Sequence, residues 1–411
     1  MLTNISGWTN SGLQNKETIN VHQSQYLRSV VDDINHNPGA EIMRYARHKT
    51  NILGLGQGEG DVPTPDFIVE EAVQALRAGH TLYGPPLGMP EIRTELSSYY
   101  KRIYGLDISR QRMVLTPSGT AAVHLAMMAV CDKDDEVIAV TPMWKNLLGA
   151  IQLQEAHTTE VSLHPDPQDG HKWKLDLEEL FGAVTPVTRA IIINSPSNPT
   201  GWVMPLEDMK KVMDFARDRG IWIISDEVYG RMVFDQTRAP SFLDIAEEDD
   251  RLIIINSFSK NWSMTGWRLG WMVVPEQAEQ NFYDLVLYDY MCPQSFSQYA
   301  GLKALREGEG FLAERMAWYK RARDIVDERF ARMPRITAHS PESSFYSFFK
   351  VKGHDDCVGF CKELIDKTGL CLAPGCAFGQ ESCGYIRMCY AVSEPKLLDA
   401  LDRLEQVVGR E

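Results

Sequence analysis

Residues 189–227 read RAIIINSPSNPTGWVMPLEDMKKVMDFARDRGIWIISDE. Two short runs that are almost wholly apolar, AIII and IWII, flank a polar turn and the segment LEDMKKVMDFARDRG, whose apolar residues recur at helical spacing. A strand with no polar face belongs in a sheet covered on both sides. Parallel neighbours in such a sheet need a crossover helix between them. The stretch therefore reads as strand, helix, strand.

The same alternation extends in both directions. Upstream, MVLTPS (113–118) precedes AAVHLAMMAV (121–130), and EVIAVTP (136–142) precedes NLLGAIQLQ (146–154); downstream, RLIIINSFS (251–259) and LGWMVVP (269–275) supply two further strands. The predicted fold class is α/β, a mainly parallel sheet wrapped by helices. Helical spacing before it, from Pro65 to Gly79 and from Pro90 to Tyr104, brackets the turn-rich TLYGPPLGMPEIR. After the long helical pattern MAWYKRARDIVDERFARM, the segments SSFYSFFKV, VGFCKELIDKTG, YIRMCYA and LLDALDRLEQVV predict a smaller α+β unit. The expected organisation is an N-terminal segment, 1–64, packing with the small domain, a large domain, 65–300, and a small C-terminal domain, 301–411.

The hydrophobic share of 44% and the charged share of 24% are those of an ordinary globular protein. A formal net charge of -14, with no basic run, repels phosphate backbones, so nucleic acid is not expected as a partner. No apolar stretch is long enough for a membrane span and the N-terminus lacks a leader pattern, so a cytoplasmic protein is expected. Of eight cysteines, Cys357, Cys361, Cys371, Cys376, Cys383 and Cys389 crowd the C-terminal part. Without a CxxC pair or a nearby histidine they read as reduced, packed thiols, and no metal is expected.

The chemistry concentrates in SFSKNWSMTGWRLGW, 257–271. Lys260 follows an apolar strand directly, where partial desolvation makes a lysine nucleophilic toward an aldehyde. Ser257, Ser259 and Arg268 offer hydroxyls and a guanidinium to a nearby anion. Ser118, Gly119 and Thr120 open a helix, where a phosphate is favoured, although Ser or Thr in that position also simply caps. Asn198 and Asp226 lie just past apolar runs, the ligand-facing edge of a parallel sheet; Asp226 there needs a cationic partner such as a protonated pyridine nitrogen.

Taken together, SPSNPTG, SDEVYG and SFSKNWSMTGWRLGW resemble the fold-type I pyridoxal 5′-phosphate enzymes, specifically the class I and II aminotransferases of the aspartate aminotransferase superfamily. The resemblance runs from about Asn51 to Val408. It implies a seven-stranded, mainly parallel sheet, pyridoxal phosphate as cofactor, and Lys260 as the Schiff-base lysine that also carries the proton of the substrate α-carbon. It implies that Asp226 pairs with the pyridinium nitrogen, that Asn198 and Tyr229 bond the cofactor's phenolic oxygen, and that Trp144 stacks on its ring. Ser118, Gly119, Thr120, Ser257 and Arg268 would hold the phosphate. Arg387, in YIRMCYA, would grip the substrate α-carboxylate as a bidentate pair, with the Gly58 backbone and with Asn198 and Trp144 nearby. Tyr83, in LYGPPLG, resembles the tyrosine that reaches the neighbouring subunit's phosphate, which implies a homodimer with shared sites.

The expected reaction is amino transfer from an L-α-amino acid to a 2-oxo acid by a ping-pong mechanism. The loop QGEGD and the stretch PESSFY depart from the family's commoner GEPDF and PxGAFY. The stretch PSGTAAVHL lacks the lysine by which some aspartate-using relatives read a distal carboxylate. With Trp144, Tyr290, Met291 and Phe345 as pocket candidates, an apolar or aromatic substrate is expected rather than a dicarboxylic one. The alternative on the same fold is a carbon-sulfur β-lyase or a related eliminating or cyclising enzyme. A regulator without activity is disfavoured because no DNA-binding segment accompanies the intact lysine.

Overall fold

The computed structural model describes residues 28–34 and 37–409. The helix Ser29–Asp33 falls in a separate unit of residues 1–35; everything below concerns the unit from residue 36 onward. The earlier part of the expected N-terminal segment lies outside the described residues.

Seven strands, β1 (Met113–Thr116), β2 (Glu136–Thr141), β3 (His157–Ser162), β4 (Thr188–Asn194), β5 (Trp222–Asp226), β6 (Leu252–Ser257) and β7 (Gly270–Val273), form one sheet in the order β1-β7-β6-β5-β4-β2-β3. All neighbours are parallel except β7, which runs antiparallel to both β1 and β6. The helix between β4 and β5, Leu206–Arg219, shows why the sequence folds this way. Glu207 and Asp208 in its first turn and Arg217 and Arg219 in its last complement the helix dipole. Gly220 ends it at φ 66°, a left-handed position where a glycine carries no Cβ penalty. Met209, Val212, Met213 and Ala216 form its buried face.

Strand parity builds the core. Ile138, Ile191, Ile193, Ile223 and Ile254 feed one apolar layer with this helix, while Ala139, Ile192, Ile224, Ile253 and Ile255 feed the layer on the opposite face. The second layer is completed by the helix Gly119–Val130, through Ala122, Val123, Leu125 and Ala126. Both faces are dry, which is why the strands carry so few polar residues.

A second sheet, antiparallel throughout, contains β8 (Ile336–Ala338), β9 (Tyr346–Val351), β10 (Ala373–Pro374) and β11 (Tyr385–Cys389) in the order β8-β9-β11-β10. The helices Cys357–Thr368 and Glu394–Val408 pack with it. The helix Pro38–Arg47 contacts the helix Cys357–Thr368, and Leu53–Gly54 pairs in parallel with Leu370–Cys371. The boundary expected after residue 300 lies inside the helix Ser295–Glu307, which packs on the helices Asp66–Arg77 and Pro90–Tyr99. No helix among the described residues is long and apolar enough to cross a membrane.

Candidate active site

A cleft of about 500 Å³ opens at the C-terminal ends of β4, β5 and β6, within the size range of sites that bury a small ligand. Parity selects what faces it. Asn194, Asp226, Ile255 and Ser257 continue the face that carries Ile192, Ile224 and Ile253, and all four line the cleft. Glu227, one residue further, instead accepts hydrogen bonds from Ser225 Oγ (3.1 Å) and the Phe242 N–H (3.1 Å) away from it. Of two adjacent buried acids, only Asp226 is presented to a ligand.

Asp226 is buried and Lys260 is half-buried on the cleft wall, and desolvation works on them in opposite senses. The Lys260 ammonium is pushed down to about 8, chiefly by desolvation, with Arg387 and Arg268 adding repulsion against the opposing influence of Cys389 and Glu59. The Asp226 carboxyl is pushed up to about 6 by burial, against the Val228 N–H bond (3.2 Å) and the pull of Lys260. Lys260 Nζ donates to the Gly58 carbonyl at 2.5 Å. Gly58 must be glycine, because a Cβ there would lie 2.2 Å from the Tyr346 hydroxyl.

Gly119, Thr120, Ser257, Ser259 and Arg268 line one end of the cleft. Gly119 starts its helix so close to β6 that a Cβ would stand 3.2 Å from Ser257 Cβ, and a helix N-terminus favours an anion. Arg268 sits at φ 52°, a left-handed conformation that a non-glycine residue keeps only where its surroundings impose it. Its Nη1 donates to the Thr265 carbonyl (2.7 Å). Ser118 departs from the expectation. Its Oγ accepts from the Ala121 N–H (3.0 Å) as the helix cap, and it does not line the cleft. The capping alternative prevails for its side chain because that hydroxyl is the nearest acceptor for an unpaired first-turn donor.

Arg387 is 5% exposed and lies between the rings of Tyr346 (4.5 Å) and Phe378 (4.6 Å). Its hydrogen bonds go to neutral oxygens, Nη1 to Asn198 Oδ1 (2.7 Å) and Nη2 to the Gly56 carbonyl (2.6 Å), while buried Nε has no partner among the described residues. A buried guanidinium paired with no acid among the described residues is suited to an anionic ligand. Tyr229 Oη shares a 2.7 Å hydrogen bond with Tyr346 Oη, and Trp144 also lines the cleft.

Some expected residues are elsewhere. Tyr83 is 81% exposed and does not line its own chain's cleft. Phe345 lines the adjoining cavity, with Lys260 Nζ 6.0 Å from its ring centre, whereas Tyr290 and Met291 line neither. Residues that sequence reading passed over are Tyr346, Phe378, Lys145, Gly56 and Asn194. Asn194 Nδ2 donates to the Asp226 carbonyl (3.0 Å) and its Oδ1 accepts from the Asn198 N–H (2.8 Å), fixing both neighbours. Its position at the end of AIIIN, in step with Ile192, was the signal available.

This arrangement fits pyridoxal phosphate. It offers a buried carboxylate for a ring cation, a lysine of lowered basicity for an aldehyde, and a helix N-terminus beside an arginine for a phosphate.

Known proteins agree. The profile of the family "Aminotransferase class I and II" matches residues 50–404. The chain is 34% identical to an aspartate aminotransferase of Pyrococcus horikoshii, over 90% of this chain and 94% of that one. It is also 34% identical to aromatic-amino-acid aminotransferase 2 of Thermococcus litoralis, over 93% and 98%. The crystal structure of the aspartate aminotransferase of Thermotoga maritima superposes with a TM-score of 0.86 at 34% identity, covering 93% of this chain and 99% of that one. With the family profile spanning residues 50–404 and relatives covering nine-tenths of it, the chain belongs to the class I and II aminotransferases and is a pyridoxal-phosphate-dependent transaminase of fold type I.

Proposed function

We propose that this transaminase takes its amino group from an L-α-amino acid with an apolar or aromatic side chain and passes it to a 2-oxo acid by a ping-pong mechanism. The observation that carries the reading is Arg387, a buried guanidinium bonded only to neutral oxygens among the described residues, in the same cleft as Lys260 and Asp226. An α-carboxylate supplies an anionic partner.

Bound pyridoxal phosphate supplies an electron-withdrawing ring that takes up the electron pair left at the substrate α-carbon. Asp226, as the carboxylate, would pair with the protonated ring nitrogen, a cation that offsets the cost of its burial. Gly119, Thr120, Ser257 and Arg268 hold the phosphate, and Trp144 flanks the ring. Tyr229 and Asn198 donate to the phenolic oxygen, their other contacts being Tyr346 and Arg387. Arg387 fixes the carboxylate, so the α-hydrogen faces Lys260, whose Nζ takes that proton as a neutral amine and later returns it. Met43, Trp144 and Phe378 on the cleft wall support an apolar donor. Lys145 lines the same wall, and an enzyme that prefers aspartate over phenylalanine would assign the distal carboxylate to it.

The test is the half-reaction. Single amino acids added without a 2-oxo acid should bleach the visible band of the bound cofactor and release one equivalent of the matching 2-oxo acid. A persistent band with accumulating ammonia would establish the lyase instead.

Arg387→Ala should cut kcat/KM for the amino donor by roughly two orders of magnitude, mostly through KM, since truncating one partner of a buried charge pair costs about 2–5 kcal/mol. Arg387→Lys should recover little, because lysine lacks the fork geometry. Steady-state kinetics check both.

Capture of pyridoxal by the cofactor-free protein requires neutral Nζ. Its rate should rise with pH and level off above about 8, whereas a lysine of ordinary basicity would keep gaining up to 10.5. Stopped-flow absorbance reads this directly.

We further infer a homodimer with shared sites. Leu82 and Tyr83 are each 81% exposed at a turn, an apolar pair suited to a second copy of the chain. Hybrids of a Tyr83→Ala chain with a Lys260→Ala chain should recover activity that neither parent has, and a fully active monomer would refute the arrangement.

A further inference from the structure

Tyr346 stands between Arg387, Tyr229 and the Gly58 backbone. It opens β9, where it pairs with Cys389 of β11, while Phe348 pairs with Arg387. Residues two apart on a strand share a face, so Tyr346 is the diagonal neighbour of Arg387, within reach of an aromatic side chain. Its ring centre lies 4.5 Å from the Arg387 guanidinium carbon. The residue is fully buried, and its hydroxyl fills the space that a Cβ on Gly58 would need. There it shares a 2.7 Å hydrogen bond with the Tyr229 hydroxyl.

We propose that Tyr346 is the positioning residue for Tyr229: its hydroxyl donates to the Tyr229 oxygen, so that the Tyr229 proton is directed at the phenolic oxygen of the cofactor, while its ring separately steadies Arg387. The hydroxyl's part rests on the placement of Tyr229 at that oxygen, and the ring's part on Arg387 as the carboxylate residue. Asn198, the other donor expected at the phenolic oxygen, has its own oxygen fixed by Arg387 Nη1 at 2.7 Å. Tyr346 does for Tyr229 what Arg387 does for Asn198.

Each phenol has one proton to give, and either oxygen of the pair can be the donor. Burial keeps both hydroxyls protonated far above neutral pH. One proton fills the bond between them, and the other must point elsewhere. Among the described residues neither hydroxyl has a second hydrogen-bond partner. A negatively charged acceptor in the cleft therefore selects the arrangement in which Tyr229 donates to it and Tyr346 donates to Tyr229, since the reverse would turn the Tyr229 lone pairs toward that charge. A hydroxyl that accepts one bond while donating another is the stronger donor, because the bonds of a chain polarise one another.

The chain of two hydroxyls has a spectroscopic consequence. The phenolic oxygen bears its greatest negative charge once the proton held beside it on the bound cofactor has gone to solvent. A donor to that oxygen favours this deprotonated form, and so lowers the pH at which the visible band gives way to one of shorter wavelength. Weakening the donor raises that pH. The ring of Tyr346 has a different consequence: it stacks on a buried cation, and its loss frees Arg387 to move on that side.

The experiment titrates the visible band of the holoenzyme against pH in the native protein, Tyr346→Phe, Tyr229→Phe and the double variant, and measures kcat and KM for the amino donor. Tyr346→Phe removes the hydroxyl and keeps the ring. It should raise the midpoint by roughly half a pH unit, less than Tyr229→Phe does, with KM little changed, and the double variant should shift no further than Tyr229→Phe alone. Tyr346→Leu removes the ring as well and should add a several-fold rise in KM. An unmoved midpoint in Tyr346→Phe beside a raised one in Tyr229→Phe overturns the hydroxyl's part, as does a further rise in the double variant. A KM in Tyr346→Leu equal to that of Tyr346→Phe overturns the ring's part. If Tyr229→Phe itself leaves the midpoint in place, the placement of Tyr229 fails and the positioning role falls with it, while Arg387→Ala kinetics test the carboxylate assignment apart from both.

Discussion

Lys260→Ala should lower kcat by at least about four orders of magnitude, the upper end of what a positioned proton-transfer group contributes, because it removes both the cofactor's covalent anchor and the base at the substrate α-carbon. The fold should survive. Nζ makes one hydrogen bond, to the Gly58 carbonyl, and burial already disfavours its charge, so thermal stability without cofactor should be unchanged or higher. Lys260→Arg separates charge from proton transfer. It retains a cation in the same cleft but cannot supply a neutral amine at any working pH, and it should be as inactive as the alanine variant. Single-turnover bleaching of the bound cofactor measures both, and turnover near the native rate in either variant would remove Lys260 from the mechanism.

Asp226→Asn should lower kcat by roughly three orders of magnitude, the scale on which loss of one preorganised electrostatic group is felt, while stabilising the cofactor-free chain. The carboxyl is raised from 3.8 to about 6 on folding. A carboxyl raised on folding prefers its protonated form there, so its contribution to stability falls as pH rises from 3.8 to about 6, and the full cost applies above that. The cost is on the order of 3 kcal/mol at neutral pH. The asparagine variant without cofactor should therefore melt higher than the native chain at pH 7 and lose that advantage below about pH 4. Adding pyridoxal phosphate should reverse the order, since only the carboxylate meets a ring cation. A native chain that is the more stable of the two without cofactor at pH 7 would show that Asp226 already has its partner within the protein.

Much of this was legible in the sequence because it is periodic or local. Runs such as AIII and IWII with a helical segment between them have one comfortable arrangement, a parallel sheet dry on both faces, and the seven strands follow it. Parity then settles that Asp226 rather than Glu227 meets the cleft, and the apolar strand before Lys260 accounts for its place on the cleft wall. Sequence reading favoured the phosphate role for Ser118, but the same hydroxyl at a helix start can also cap, and the 3.0 Å contact with the Ala121 N–H shows it capping.

The tertiary structure decided whatever depends on segments far apart in the chain. Arg387 meets Asn198 and Gly56 across 189 and 331 positions, and Tyr346 reaches Tyr229 across 117. No local pattern encodes such contacts, because they arise only when the two sheets pack and close the cleft between them.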